Sequence, residues 1–402
     1  MNGDETLTNQ KKTNTKDSRK WLVFLILGLI SLVGGVGCLL WTFLKPQPEV
    51  AVIDYPTIPT TQNDTTTTYS ALTGEPLADA GTFNAPVFCI QTPNGTDGAR
   101  PQSGLNTAGV IFEAIAEAGI TRFAAIYQNP TAAVIGPIRS LRLYYLQWDT
   151  PFDCTIVHAG GADDALEAVR AGGYKDMTEN YAYMYRGTVS ARRWNNLFTT
   201  ASLLKQFNAD RGYATSQISG FTRMTPEESK KSQVDSLVKE RLSITTPATG
   251  NISELEPKVT TIGLRFGWVP NYNVDYVYDA STNKYLRSYE SGTPHNVYSC
   301  PNDDLGEKNP EDVCELVQMA PSVVIAMMVA ERKASDNYHE DITAVGSGEV
   351  YIFQNGLAIK GTWNKASVGE QIRFLDENGA EIKLAPGQTI VSAVPNYGSV
   401  EY

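Results

Sequence analysis

The sequence predicts an α+β protein: an N-terminal transmembrane helix, a linker, an α/β domain, and then a smaller, mostly antiparallel β domain. Three observations carry this prediction. Residues 21–44 form one run without a charge; short apolar runs alternate with helical stretches between residues 87 and 232; and strand-like runs separated by Asn-Gly pairs fill the chain after residue 259. The divisions are a tail (1–20), a membrane helix (21–44), a Thr/Pro-rich linker (45–85), an α/β domain (86–235) and a β-rich domain (256–402). At 402 residues, 42% hydrophobic and 19% charged, the chain has the composition of a protein that buries real cores. A net charge of -11 gives it no electrostatic reason to approach nucleic acid.

The apolar run opens on Trp21 and closes on Leu44, and at 1.5 Å per residue it is long enough to cross a hydrocarbon core of about 30 Å. Lys11, Lys12, Lys16, Arg19 and Lys20 precede it, whereas only Lys45 follows before Pro, Glu and Asp. The positive-inside rule therefore puts the N-terminus in the cytoplasm and the bulk of the chain outside. Gly35-Val36-Gly37-Cys38 loosely resembles a lipidation box. An uncleaved helix fits better, because Leu39 to Leu44 stay apolar where a lipoprotein would turn polar. With the tail set aside, 28 basic residues face 41 acidic ones, so the membrane attachment is expected from the helix and not from charge.

Beyond the linker, VFCIQ, RFAAIYQ and CTIVHAGG read as strands. Helices are expected near Thr107 to Ala118, after Pro137, and from Asp163 to Arg170. In the second domain TTIGLRFGW, VDYVYDA, SVVIAMMVA, EVYIFQNGLAIKGTW and IRFLDENGAEIKL read as strands, with Asn355-Gly356 and Asn378-Gly379 at hairpin turns. Four cysteines lie outside the membrane run. Cys300 and Cys314 bracket a short polar stretch and are expected to pair, whereas Cys89 and Cys154, both in apolar runs, are left open between a disulfide and two inert thiols.

The stretches RPQSGLNTAGVIFEAIAEAGITRFAAIYQ, IGPIRSLRLYYLQW and VHAGG, together with GSGEVYIFQNGLAIKGTWNK and LAPGQT, resemble the YerB-like lipoprotein family over most of residues 71–396. That resemblance implies an extracytoplasmic envelope protein with a two-domain body, in a family whose activity is unassigned. The chain departs from it in having a whole apolar helix where members are typically lipoproteins. It also carries Asn195 where relatives have a histidine, and a cysteine-bracketed insertion soon after Pro294-His295.

The candidate site lies in the first domain. On a helix, Glu113 and Glu117 would stand four apart, two like charges needing compensation, with Gly119 as C-cap. Arg100, Arg122, Arg139 and Arg142 are the available cations, the last two on one face of a helix that Pro137 helps to start. His158, Gly160 and Gly161 follow a strand and precede a helix, where backbone N–H groups could cradle an anion; Asp163 and Asp164, either of which could cap that helix, argue against phosphate. The leading expectation is a binding site for a cell-wall glycan or an envelope protein partner, built from Arg100, Arg122, Arg139, Arg142, His158, Gly160 and Gly161. The alternatives are a glycan hydrolase using Glu113 or Glu117, with His158 as a further candidate catalytic residue, and a non-catalytic scaffold. An internal Arg-Glu network is favoured over catalysis, because carboxylates neutralised by arginine are poor proton donors. No cofactor is expected, and three scattered histidines, His158, His295 and His339, predict no metal site.

Overall fold

The computed structural model describes residues 67–192, 194–243, 259–300 and 307–402. These fall into two segments, 67–243 and 259–402; the first supplies strands β1 (Val87–Pro93), β2 (Val110–Glu117), β3 (Ile120–Gln128), β4 (Thr155–Val157), β5 (Lys175–Met177), β6 (Tyr185–Arg186) and β7 (Leu197–Phe198). The second supplies β8 (Thr261–Arg265), β9 (Val274–Asp279), β10 (Lys284–Tyr289), β11 (Asn296–Ser299), β12 (Glu315–Gln318) and β13 (Val323–Val329). These are followed by β14 (Glu331–Lys333), β15 (Glu340–Ile342), β16 (Gly346–Gln354), β17 (Leu357–Lys365), β18 (Arg373–Leu375), β19 (Thr389–Pro395) and β20 (Ser399–Glu401). The α-helices are α1 (Leu143–Asp149), α2 (Asp163–Arg170), α3 (Ala201–Arg211), α4 (Pro226–Ser243) and the single turn α5 (Pro310–Val313).

Ten strands join in one mixed sheet, in the order β18-β17-β16-β13-β19-β2-β3-β1-β4-β5. Its middle is where the two segments meet: β19, near the chain's end, lies between β13 and β2 and runs parallel to both. Thr66–Tyr402 accordingly form one compact unit. A second sheet, β10-β9-β8-β20, packs on the β13, β16 and β19 end of the large one.

Period-two alternation divides the core. Val87, Cys89, Val110, Phe112, Ala124, Ile126, Ile325 and Val391 face one side, where the aromatic side chains of α1 cover them. Phe88, Ile90, Ile111, Phe123 and Tyr127 face the other, beneath α3 and β11. The covering α1 is anchored through Tyr144 Oη, which donates to the Ile115 carbonyl at 2.7 Å, and Tyr145 Oη, which donates to the Arg122 carbonyl at 2.7 Å. Helix α3 begins at Thr200, whose hydroxyl accepts from the Leu203 N–H, and ends at Gly212 in the left-handed conformation.

Several expected elements take another form. VIFEAIAE is not a helix but β2, buried along its whole length. A central strand covered on both faces has no polar alternation, and its alanines and glutamates mimic helical spacing. Gly119 is therefore no helix cap; it follows Ala118 in the tight β2–β3 turn, both at positive φ. The helix expected from Pro137 starts only at Leu143, so Arg139 and Arg142 share no helical face, and Arg142 is the N-cap residue of α1. Helix α2 has the expected bounds, yet Ala162 occupies its N-cap and Asp163 and Asp164 stand in its first turn, where the dipole favours carboxylates.

The linker expected to reach residue 85 is already part of the body by Tyr69, which bridges to Pro76; Leu72 is buried in the main core. Both cysteine pairs are bonded: Cys300–Cys314 as expected, and Cys89–Cys154 where the sequence leaves the choice open. The latter ties β1 to the start of β4, its parallel neighbour. Among the described residues no helix is long and apolar enough to cross a membrane. The tail, the apolar run from Trp21 to Leu44, Cys38 and most of the linker lie outside the described residues.

Candidate functional site

The two glutamates sit on one strand but in separate ion networks. Glu113, on β2, and Arg287, on β10 of the second segment, form an ion pair at 2.9 Å with both side chains wholly removed from solvent. Thr121 Oγ1 donates to the same Glu113 oxygen at 3.0 Å, and Ser392 Oγ reaches the other at 3.5 Å. Arg287 spends its remaining donors on Tyr276 Oη (2.6 Å) and His295 Nδ1 (2.9 Å).

That last bond fixes the imidazole. Because Nδ1 accepts, Nε2 carries the proton and donates to Gln102 Oε1 at 3.0 Å. Burial, with the Arg287 and Arg100 charges beside it, holds His295 well below the ordinary histidine range, so the ring stays neutral. Gln102 in turn donates to the Pro93 carbonyl and to Asn94 Oδ1. The same Asn94 oxygen accepts from Arg100 Nε at 2.9 Å and from Tyr289 Oη at 3.2 Å. Arg100 also stacks over the Tyr289 ring, 3.8 Å from its centroid, so this expected ligand-binding residue is spent on joining the segments.

The second network closes around Glu117. Arg122 holds one carboxylate oxygen and Arg142 the other, at 2.6 Å for the latter. Burial alone would raise the Glu117 carboxyl, but the two guanidinium groups outweigh it and hold the group below its ordinary range. Arg122 and Arg142 further donate to the Ser140 and Leu141 carbonyls.

His158 is buried at the end of β4. Its Nδ1 lies 2.7 Å from the Gly160 carbonyl and its Nε2 2.9 Å from Asp176 Oδ1. The Gly160 carbonyl also accepts from the Leu141 N–H. Gly160 thus turns its carbonyl to the imidazole, which runs against an anion cradle built from this glycine. A side chain at Gly161 would press on Leu166 and the Leu141 carbonyl.

These geometries set aside the hydrolase reading. Glu113 has no path to a substrate, Glu117 is a clamped carboxylate unable to serve as a general acid, and both nitrogens of His158 are engaged. Arg139 stands apart. It is half-buried beside Arg122, and among the described residues its guanidinium makes no hydrogen bond or ion pair. Two arginines grip Glu117, and Arg139 lies beside Arg122 and within electrostatic range of Glu179.

The sequence reading missed Arg287, Tyr276 and His295 as partners of the first-segment cluster. The signal was present: Tyr285, Arg287 and Tyr289 alternate onto the buried face of β10, and a charge on such a face requires a partner.

Removing one partner of a buried pair strands the other. Arg287→Ala should therefore destabilise the body by about 3–5 kcal/mol, read as a lower urea midpoint with little change in slope. Glu117→Gln tests the second network by pH. A carboxyl held low in the folded state contributes stability above the unfolded value near 4.5 and loses it as pH falls, so the variant should show a lower stability at neutral pH and a shallower loss into acid.

Comparison with known proteins agrees with this architecture. Residues 72–214 match the N-terminal domain, and residues 264–391 the C-terminal domain, of the family described as "Protein of unknown function (DUF3048)". The chain is 25% identical over 331 residues to the Bacillus subtilis (strain 168) protein named "Putative lipoprotein YerB", covering 81% of this chain and 86% of that one. The crystal structure of the YerB protein from Bacillus subtilis superposes with a TM-score of 0.63 at 21% identity, over 83% of this chain and 100% of that one. With both domain models matched in order along one chain, the protein belongs to the YerB-like DUF3048 family.

Proposed function

We propose that the chain is a membrane-anchored, non-catalytic protein of the cell envelope whose extracytoplasmic body binds an acidic cell-wall glycan at the patch around Arg139. The observation that carries this reading is the division of labour among the arginines. Arg100 and Arg287 are consumed in joining the segments, and Arg122 and Arg142 grip Glu117, whereas Arg139 has no acceptor among the described residues. A half-buried guanidinium with its donors unspent suits a carboxylate or phosphate, which it can take in a bidentate fork. His158 and Gly160 shape the neighbouring backbone and do not supply the charge.

The charge-free run from Trp21 to Leu44 supports a single-pass anchor with a cytoplasmic N-terminus. The name of the Bacillus subtilis relative favours a second mode of attachment, a lipid on Cys38. Intact mass of the membrane-extracted protein separates the two: retention of the tail without acyl mass supports the helix, and a new N-terminus at acylated Cys38 supports the lipid.

Binding is tested by co-sedimentation of the full-length protein, in detergent micelles, with insoluble cell wall carrying its anionic polymers. Arg139→Ala should weaken retention by about tenfold, a loss of about 1.4 kcal/mol, with thermal stability unchanged, and added salt should weaken the wild type. Unchanged retention of Arg139→Ala overturns the assignment, and retention only by an envelope protein replaces the glycan with that partner.

A further inference from the structure

A cleft of about 290 Å³ opens between the β2–β3 turn, the loop after β8, and the β14–β15 ribbon. Trp268 stands at it with 82% of its surface exposed, and Tyr397, 62% exposed, also lines it. Single exposed apolar side chains are ordinary; two large aromatic rings bordering one cleft are not accounted for by packing. The loop carrying Trp268 is held against the body next door, because Val269 packs onto Gly119 so closely that a side chain there would come within 2.6 Å of it.

The polar groups of the cleft follow from the ribbon's register. Glu331 pairs with Ile342 and Lys333 with Glu340, so Glu331, Lys333 and Glu340 share a face, while Arg332 and Asp341 pair on the opposite one. Lys333 is ion-paired to Glu340, and Arg332 to Asp341 at 2.7 Å. Glu331 accepts from Tyr397 Oη at 2.9 Å through one oxygen, and its other oxygen is buried with no partner among the described residues.

From this geometry we infer that the cleft is a binding site for a neutral saccharide, with Trp268 as the stacking platform and the Glu331 carboxyl as the polar contact. Lys333 with Glu340 and Arg332 with Asp341 cancel in pairs and Glu331 has no ion-pair partner among the described residues, so these groups offer nothing to an anionic ligand. A β-linked pyranose instead offers what the walls lack: an apolar C–H face for the indole and a hydroxyl oxygen able to accept from the carboxyl when the oxygen left over by Tyr397 is protonated. Burial, reinforced by Glu340 and opposed by Tyr397 and Lys333, pushes the Glu331 carboxyl up to about 7. In mildly acidic solution it therefore carries a proton that a sugar hydroxyl can accept. This site is independent of the Arg139 reading, whose ligand is acidic.

The test is calorimetric titration of the full-length chain in detergent micelles with chitotetraose, a neutral β-linked tetrasaccharide. Saturable binding is expected. Trp268→Ala should weaken it by about tenfold or more, Trp268→Phe should retain most of it, and Arg139→Ala should leave it unchanged. Wild-type affinity should fall as pH rises through about 7, whereas Glu331→Gln, which keeps a donor at every pH, should lose that dependence. If Trp268→Ala does not fold, the pH comparison with Glu331→Gln decides. Absence of saturable binding to the wild type overturns the inference, as does unchanged affinity in folded Trp268→Ala. Loss in Arg139→Ala alone would place the saccharide at the other site and overturn it equally.

Discussion

The structure depends on one buried ion pair. Glu113 and Arg287 come from segments 174 residues apart, and both are withdrawn completely from water. Each charge costs several kcal/mol to desolvate, and the mutual attraction offsets this only when the remaining donors and acceptors are satisfied as well. Thr121, Ser392, Tyr276, His295 and, behind them, Gln102 and Asn94 provide that satisfaction. Neither segment can therefore present its half of the pair without the other. The family's two domains, distinct as stretches of sequence, share one core.

Much of this was legible in the sequence because strands announce themselves when one face is dry. VDYVYDA became β9 and EVYIFQNGLAIKGTW the β16–β17 hairpin, with Asn355 and Gly356 both at positive φ in the turn. VIFEAIAE defeated the reading because a strand covered on both faces shows no period of two, and its two glutamates, four apart, fitted helical spacing although Glu113 is wholly buried in the sheet. The candidate site was legible as composition but not as pairing. Sequence offered Arg122 and Arg142 as partners for the glutamates, and both meet Glu117; alternation in β10 signalled that Arg287 needs a buried partner, but not that the partner is Glu113.

The arginines of the first-segment cluster divide between architecture and a side chain that makes no hydrogen bond among the described residues. Ion pairs here serve architecture wherever both partners are buried. Arg139 is distinguished by its surroundings, since the backbone N–H and carbonyl of the same residue are fastened to Gln91 and Ala159 while its side chain is left unbound among the described residues. The fixed main chain sets where this side chain starts, while the unbound guanidinium keeps its rotamer freedom until a ligand orders it.

The position of β19 bears on how the chain can be made. Residues 389–395 supply a central strand of the large sheet, flanked by β2 on one side and β13 on the other, only a few residues before the chain ends. A ribosome or translocon delivers the polypeptide from its N-terminus, so β2 and β3 emerge hundreds of residues before the strand that completes their sheet. Until then β2 offers an open edge from Val110 to Glu113, the kind of surface that invites pairing with the wrong chain. The topology thus leaves β2 without its parallel neighbour until β19 is made, and cooperative folding of the large sheet waits for that strand.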